Sequence, residues 1–382
     1  MTTYDYIIVG AGASGLMLAD ALGRDVFFSK KSILLLEKDN KQKNDRTWCF
    51  WETGEGSFNS VLHKSWNRIF FAGEVYSEQL NLSPYAYKMV RGEDFYDTYL
   101  KRLKTYPNIS FALGTVTDIQ NKNALVQITT ATTIYHAKKV FNSVFDYKKL
   151  LEQKKYPVLQ QHFLGWFIKT EHPLFDVDQA TFMDFSIPQK GNTRFMYVLP
   201  TSTTEALIEY TLFSKEVLSV AAYEEGLKTY IKDHLGCENY VITNHEKGNI
   251  PMSCFNFNAY NSPNILHIGI SGGWAKPSSG YTFMHSYKKV QQLIPFLKKD
   301  LPLDRFNKKN RFWFYDLLLL DILDKENSKG RLIFEQLFKN QRPQNIFKFL
   351  DEETSFWEDL QIIAACPKKE FISALLRRIF KI

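Results

Sequence analysis

The sequence predicts an α/β protein: a parallel βαβ unit at the N-terminus, an antiparallel β-sheet in the middle and a helical C-terminal region. Three observations carry this reading. A strand runs into a glycine-spaced turn and a helix at the start of the chain. Longer strands divided by turns fill residues 160–213, and from about Arg305 the pattern is helical.

The first unit is the most specific. Tyr4-Asp5-Tyr6-Ile7-Ile8-Val9 is a run of β-branched and aromatic residues, as strands favour. Gly10-Ala11-Gly12-Ala13-Ser14-Gly15 follows at once, and Leu16 to Leu22 continues as a helix ending near Gly23. Ser32-Ile33-Leu34-Leu35-Leu36 is the second strand, closed by Glu37. A lone GxGxxG is weak evidence, but here it lies between a strand and a helix and is completed by an acid. In a Rossmann-like unit Gly10 permits the tight turn, Gly12 lets the backbone approach a pyrophosphate, and Gly15 lets helix and strand pack closely. The helix start at Ala13 offers free N–H groups to phosphates, and Glu37 is placed to bind a ribose.

A second glycine-rich segment follows much later. Ile265-Leu266-His267-Ile268 is a short strand leading into Gly269-Ile270-Ser271-Gly272-Gly273, and Pro277-Ser278-Ser279-Gly280 then opens a helix near Tyr281. With the first motif at the extreme N-terminus, this second segment favours FAD over NAD. Gly272, Gly273 and Gly280 are then expected beside the isoalloxazine ring, where a positive helix end can stabilise a reduced flavin. An ordinary strand–loop–helix connection is the plainer alternative for this segment.

Between the two motifs, Thr115–Ile119, Leu125–Thr129 and Lys139–Phe145 read as a small strand layer returning to the nucleotide unit. Phe163–Lys169, Ala180–Phe185, Arg194–Leu199 and Ala206–Leu212 read as an antiparallel substrate sheet. The expected division is a discontinuous FAD-binding domain (1–55, 90–150 and 260–300), a substrate domain (56–89 and 151–259) and a helical region (301–382).

Composition narrows the classes. With 382 residues, 45% of them hydrophobic, the chain is long for one domain. A net charge of +7 without an Arg/Lys stripe does not argue for nucleic acid. The 31 Phe and 20 Tyr suit a pocket for a large apolar or cation-forming ligand, although an aromatic core alone accounts for them equally. Cys49, Cys237, Cys254 and Cys366 are far apart, which suggests a reducing compartment and no metal site. No signal-peptide pattern and no apolar run of about 20 residues is present, so the expectation is a soluble or peripheral protein. In the tail Pro367–Ile382, Phe371, Leu375, Ile379 and Ile382 recur at helical spacing among Lys368, Lys369, Arg377, Arg378 and Lys381. Such a helix either docks its apolar face or lies on an anionic membrane.

Several local motifs then resemble one family, the bacterial-type lycopene β-cyclases. They are Asn44-Asp45-Arg46-Thr47-Trp48-Cys49-Phe50-Trp51, Phe182-Met183-Asp184-Phe185, Arg194 to Pro200, Ala206-Leu207-Ile208-Glu209-Tyr210-Thr211, Gly248-Asn249-Ile250-Pro251-Met252 and Lys276 to Phe283. They occur in consistent order to about residue 300, and more loosely through Phe347–Glu352. Two departures stand out. The family's acidic signature often carries a second acid where this chain has Tyr210, and Gly269-Ile270 lacks the Asp of related flavoprotein hydroxylases.

The resemblance implies cyclisation of the acyclic ends of lycopene to β-ionone rings without net redox change. An acid protonates the terminal double bond, the neighbouring double bond closes the ring, and a proton leaves. Glu209 inherits the acid's role, and Asp184 is a second acid or positioning group. The cofactor implied is FAD, reduced by NAD(P)H, held by Gly10, Gly12, Ala13, Gly15, Glu37, Gly272, Gly273 and Gly280. Trp48, Trp51, Phe185, Tyr197 and Trp274 are candidate pocket residues. The substrate's insolubility implies a cytoplasmic protein lying peripherally on the inner face of the cytoplasmic membrane. The competing readings are a flavin-dependent monooxygenase or prenyl reductase, and a non-catalytic FAD-binding lipid carrier or sensor.

Overall fold

Tyr6 and Ile8 face one side of the first strand, Ile7 and Val9 the other, and all four are buried, so this strand lies inside a sheet covered on both faces. The computed structural model describes residues 3–122 and 124–380. Lys381 and Ile382 of the predicted tail helix lie outside them.

The first sheet has seven strands. Its parallel core sets Ile109–Leu113, Ile33–Glu37, Thr3–Val9 and Ile134–Asn142 side by side, with Ile265–His267 also parallel to the last. Leu125–Thr130 and Val116–Lys122 extend it as an antiparallel meander. Helices Ala13–Arg24, Gly92–Leu103 and Phe283–Lys298 cover the face that Tyr6 and Ile8 present, while Val126 and Ile128 pack against Ile7 and Val9.

The second seven-stranded sheet is ordered Tyr240–Met252, Leu159–Thr170, Glu205–Ser214, Thr193–Pro200, Gln179–Asp184, Arg68–Ala72 and Ser77–Asn81. The expected antiparallel pairing holds except between Gln179–Asp184 and Arg68–Ala72, which run parallel. Those two strands are distant in sequence, and a long connection permits either direction. A separate three-stranded sheet joins Thr47–Thr53, Tyr85–Arg91 and Lys64–Trp66.

Alternation along the substrate strands decides what each face covers. Ala206, Ile208, Tyr210 and Leu212 pack under the helix Val220–Asp233. Leu207 and Phe213, with Phe195, Tyr197 and Leu199 of the next strand, face Leu317, Leu320, Phe338, Phe347 and Ile362 of the C-terminal helices. Each fully buried large apolar side chain contributes roughly 1.5–3 kcal/mol, so this interface fixes the helices on the sheet. Among the described residues five helices make up the helical region that the sequence pattern anticipates from about Arg305: Arg311–Lys325, Lys329–Asn340, Pro343–Leu350, Phe356–Ala365 and Lys368–Phe380.

Candidate functional site

The glycine turn opens onto a cavity of about 580 Å³ that runs from the first sheet to the second. Gly10 has φ +98°, and a Cβ on it would stand 2.0 Å from Ser143 Oγ. A Cβ on Gly15 would lie 1.9 Å from the Gly10 carbonyl oxygen, which is how closely helix and strand approach. Gly12 is different. A Cβ there meets nothing within 4 Å, so its bareness leaves room on the cavity side. Gly12 caps the helix Ala13–Arg24 with no side-chain hydrogen bond, and the first N–H groups are left for a ligand. Glu37 accepts a 2.6 Å hydrogen bond from the Ala11 N–H at the end of its strand. Gly10, Gly12, Ala13, Gly15 and Glu37 all line this cavity, as does Gly280.

Gly280, at φ +70°, ends the Pro-Ser-Ser-Gly turn, and the helix Phe283–Lys298 starts at the cavity wall with no side-chain cap on Thr282. Two uncapped helix N-termini therefore face one space. Gln161 Oε1 and Ser279 Oγ, on residues lining it, are buried without a hydrogen-bond partner among the described residues. These groups fit a dinucleotide: the bare Gly12 turn would take its phosphates, and Gln161 Oε1 (an acceptor) and Ser279 Oγ would be free to meet its polar groups.

Gly272 and Gly273 are placed elsewhere: neither lines the cavity, whereas Gly269 and Ile270 do. Their reason for being glycine is internal. A Cβ on Gly272 would strike the His267 carbonyl at 2.1 Å, and Gly273 has φ +68° against the Phe257 ring. The loop that carries Gly280 is held from behind by Lys276, fully buried, whose Nζ lies 3.1 Å from Asp316 and 3.3 Å from Glu352. Ser278 Oγ donates to the same Asp316 at 2.6 Å.

At the far end of the cavity the second sheet presents a row of paired residues across four strands. Tyr197 pairs with Glu209, Glu209 with Gly165, and Gly165 with Glu246. Directly paired residues project from the same face, and Tyr197, Glu209 and Glu246 all line the cavity. Glu209 is buried, and its Oε1 accepts a 2.5 Å hydrogen bond from Thr211 Oγ1. Glu246 accepts from the hydroxyl of Thr47, inside the Asn44–Trp51 motif. Burial pushes both carboxyls well above the usual carboxylate range. The charge of Glu246 adds to the rise at Glu209 and the Thr211 hydrogen bond opposes it, while the Thr47 hydrogen bonds oppose the rise at Glu246.

The sequence pattern does not single out Glu246, which stands in the polar run Asn244-His245-Glu246-Lys247. Its signal is faint: Glu246, Gly248, Ile250 and Met252 recur with period two and share a face. Tyr210, standing where the acidic signature often has its second acid, points to the other face, where its hydroxyl accepts a 2.7 Å hydrogen bond from Arg194. The second carboxyl at this end of the cavity, Glu246, comes from another strand.

Asp184 is not brought to the site. Met183 has φ +65° and the pairing register shifts there, so the Asp184 carboxylate accepts from Tyr230 under the helix Val220–Asp233 (2.7 Å) and from the Ser186 N–H (2.9 Å). It does not line this cavity. Of the predicted aromatic residues, Trp48 and Tyr197 line the cavity. Trp51 stacks on Phe347, Phe185 on Phe334, and Trp274 packs toward Phe306.

A family model described as lycopene cyclase protein matches residues 5–376. The chain belongs to the lycopene cyclase family. No curated protein sequence matches it significantly. Among solved structures it is similar to a geranylgeranyl bacteriochlorophyll reductase-like protein from Thermoplasma acidophilum, at 13% identity over 98% of each chain and TM-score 0.61. It is also similar to the flavin-dependent brominase Bmp2, at 13% identity over the whole of both chains and TM-score 0.57. Halogenase PltM in complex with phloroglucinol and FAD aligns over 97% of this chain and 86% of that one, at 11% identity and TM-score 0.58. At such identities the likeness is one of fold: this lycopene cyclase family member has the Rossmann-type architecture of flavoproteins.

Proposed function

We propose that this chain is an FAD-dependent lycopene β-cyclase that converts the acyclic ends of lycopene to β-ionone rings, through γ-carotene to β-carotene. The observation that carries the reading is the position of Glu209. It is a buried carboxyl with a raised pKa, in the same cavity as a nucleotide cradle, in a chain of the lycopene cyclase family. An acid that is to protonate a double bond near neutral pH must keep its proton there, and burial beside apolar groups achieves this.

Thr211 occupies Oε1 of Glu209, so Oε2 is the oxygen that carries the proton. Its transfer to the terminal double bond leaves a tertiary cation, ring closure moves the charge, and loss of one proton from the ring yields the product. One proton enters and one leaves. Glu246, on the same face, is the carboxylate positioned to receive it. The aromatic faces of Trp48 and Tyr197 line the space, and each contributes about 0.5–2 kcal/mol to a nearby cation. Gly10, Gly12, Ala13, Gly15, Glu37 and Gly280 would hold FAD. When bound and reduced, with NAD(P)H as reductant, FAD would supply negative charge to stabilise a cation without being consumed.

The test is expression in lycopene-accumulating bacteria, with pigment analysis of the wild type and Glu209→Gln. The wild type is expected to give cyclic carotenoids, and the variant to leave lycopene unchanged while still binding flavin. Unchanged lycopene with the wild type, or substrate-dependent stoichiometric NAD(P)H consumption, overturns the reading in favour of a redox flavoenzyme.

A further inference from the structure

The strand Leu159–Thr170 turns one face toward the cavity. Gly165 stands in the row that joins Glu209 to Glu246, and Gln161 and Phe163 precede it at alternate positions, so all three project the same way. Gln161 and Phe163 line the cavity. Four residues of strand set Gln161 roughly 13 Å from the carboxyl row, and there it meets the Pro-Ser-Ser-Gly turn. A Cβ on Gly280, which has φ +70°, would stand 2.0 Å from Gln161 Oε1. Gly280 is bare where the Gln161 amide comes up against the turn.

Gln161 does not suit its neighbours as a packing residue. It pairs with Phe213 on one side and Ile250 on the other. Its Oε1 is buried without a hydrogen-bond partner among the described residues, a condition that native structures rarely tolerate. A hydrocarbon has no hydrogen to donate, so the polyene of the proposed function cannot satisfy this oxygen. A flavin ring can. The turn that Gln161 meets runs directly into the helix Phe283–Lys298, whose uncapped start lines the same cavity as the nucleotide cradle.

An amide oxygen is an acceptor only, and that decides which form of the ring it suits. Oxidised flavin has a lone pair at its central nitrogen N5. Two-electron reduction places a hydrogen there, which turns the same atom into a donor. An acceptor facing N5 therefore opposes the oxidised ring and takes a hydrogen bond from the reduced one, and hydrogen bonds to ring nitrogens are a means by which proteins tune such cofactors.

We propose that Gln161 is a redox-selective seat for the flavin ring, its Oε1 accepting a hydrogen bond from the N–H that the ring carries only when reduced. That the cofactor is a flavin rests on the proposed function. The seat itself rests on the buried oxygen, the bare Gly280 beside it and the cavity shared with the nucleotide cradle. It gives an enzyme without net redox chemistry a means of keeping its flavin reduced.

The experiment is a reductive titration of the full chain with bound FAD, reading the midpoint potential from flavin absorbance against an indicator dye. Gln161→Met keeps the length of the side chain and loses the acceptor. Its preference for reduced flavin is expected to fall at least tenfold, a drop of about 30 mV for a two-electron couple, with flavin content and thermal midpoint kept. A second measurement needs no variant: wild-type apoprotein is expected to bind reduced FAD at least tenfold more tightly than oxidised FAD. An unchanged potential in Gln161→Met means that Gln161 meets a ring atom alike in both forms, or none, and overturns the inference. A raised potential shows the amide donating to the oxidised ring and overturns it too, as does equal or weaker binding of reduced FAD by the wild type. None of these readouts needs cyclisation. The expected drop in a protein that leaves lycopene unchanged sinks the cyclase reading alone, and an unchanged potential in one that makes cyclic carotenoids sinks only the seat.

Discussion

Glu209 and Glu246 lie on one face of one sheet, each the direct partner of Gly165 on the strand between them. Two strand spacings separate their Cα atoms by roughly 10 Å, and Gly165 puts no side chain in the gap. Two carboxyls in one dry pocket resist ionising together, so the second charge costs more than the first. The arrangement keeps one proton in the pair at a pH where an exposed glutamate has none.

The role of Glu246 can be read from the pH dependence of the rate. Glu209 must be protonated to act, so the rate falls as pH rises through its raised pKa. Glu246→Gln removes the neighbouring charge, one of the two causes of that rise, and leaves burial in place. The Glu209 pKa then drops, and the descending limb of the rate profile moves to lower pH. Initial rates on dispersed lycopene across pH test this. A limb that stays put, or moves up, shows that Glu246 does not act on Glu209.

Glu209→Gln separates a functional acid from a structural one. Loss of a general acid costs about 10²–10⁴-fold in rate. Stability should move the other way. Because the folded pKa is raised, the folded chain binds this proton more tightly than the unfolded chain. The stability it contributes is full below the ordinary glutamate pKa and is lost as pH rises through the folded value. The Gln variant avoids that loss, so at neutral and alkaline pH it should be more stable by about 1–2 kcal/mol. Thermal midpoints at acid and alkaline pH measure this. A variant less stable at both would mark Glu209 as a structural group.

Gly12 and Gly15 stand three residues apart and should fail differently. Gly12→Asp keeps a good helix cap and meets no protein atom within 4 Å, but it puts a carboxylate where phosphates are to bind. It should fold and purify without flavin. Gly15→Ala drives a Cβ into the Gly10 carbonyl, and overpacking of this kind costs about 1–3 kcal/mol. Flavin absorbance and denaturation curves on both variants decide the matter, and a Gly12→Asp protein that keeps its flavin refutes the cradle.

These residues also mark how far the sequence could be read. The βαβ unit was legible because its turn, helix and closing acid are consecutive and each obeys a local rule. Glu209 was legible only through the resemblance of Ala206–Thr211 to the family's acidic signature, not through a local rule. Gly272 and Gly273 were not, since a glycine needed for positive φ or for tight packing looks the same in sequence as one needed for a ligand. Asp184 was lost to the shift at Met183, which turns its carboxylate toward Tyr230. Glu246 escaped because its strand pairs along only one side and stays half-exposed, so its apolar alternation is weak. Its partnership with Glu209 exists only through Gly165, a relation across three strands that no local window contains.

The trio of buried Lys276 and Asp316 with partly exposed Glu352 gives the last prediction. Lys276 ties the loop that ends at Gly280 to the helix Arg311–Lys325, and Asp316 is buried with it. Lys276→Ala strands that carboxylate in a dry site, and breaking a buried pair in this way costs about 3–5 kcal/mol. Lys276→Met with Asp316→Leu removes both charges and should recover most of the loss, because the penalty comes from the unpaired charge. Flavin retention should follow stability in the single variant, since Ser279 and Gly280 line the cavity. Urea denaturation of the single and double variants tests this. A single variant as stable as the wild type would show that the trio does not hold the loop.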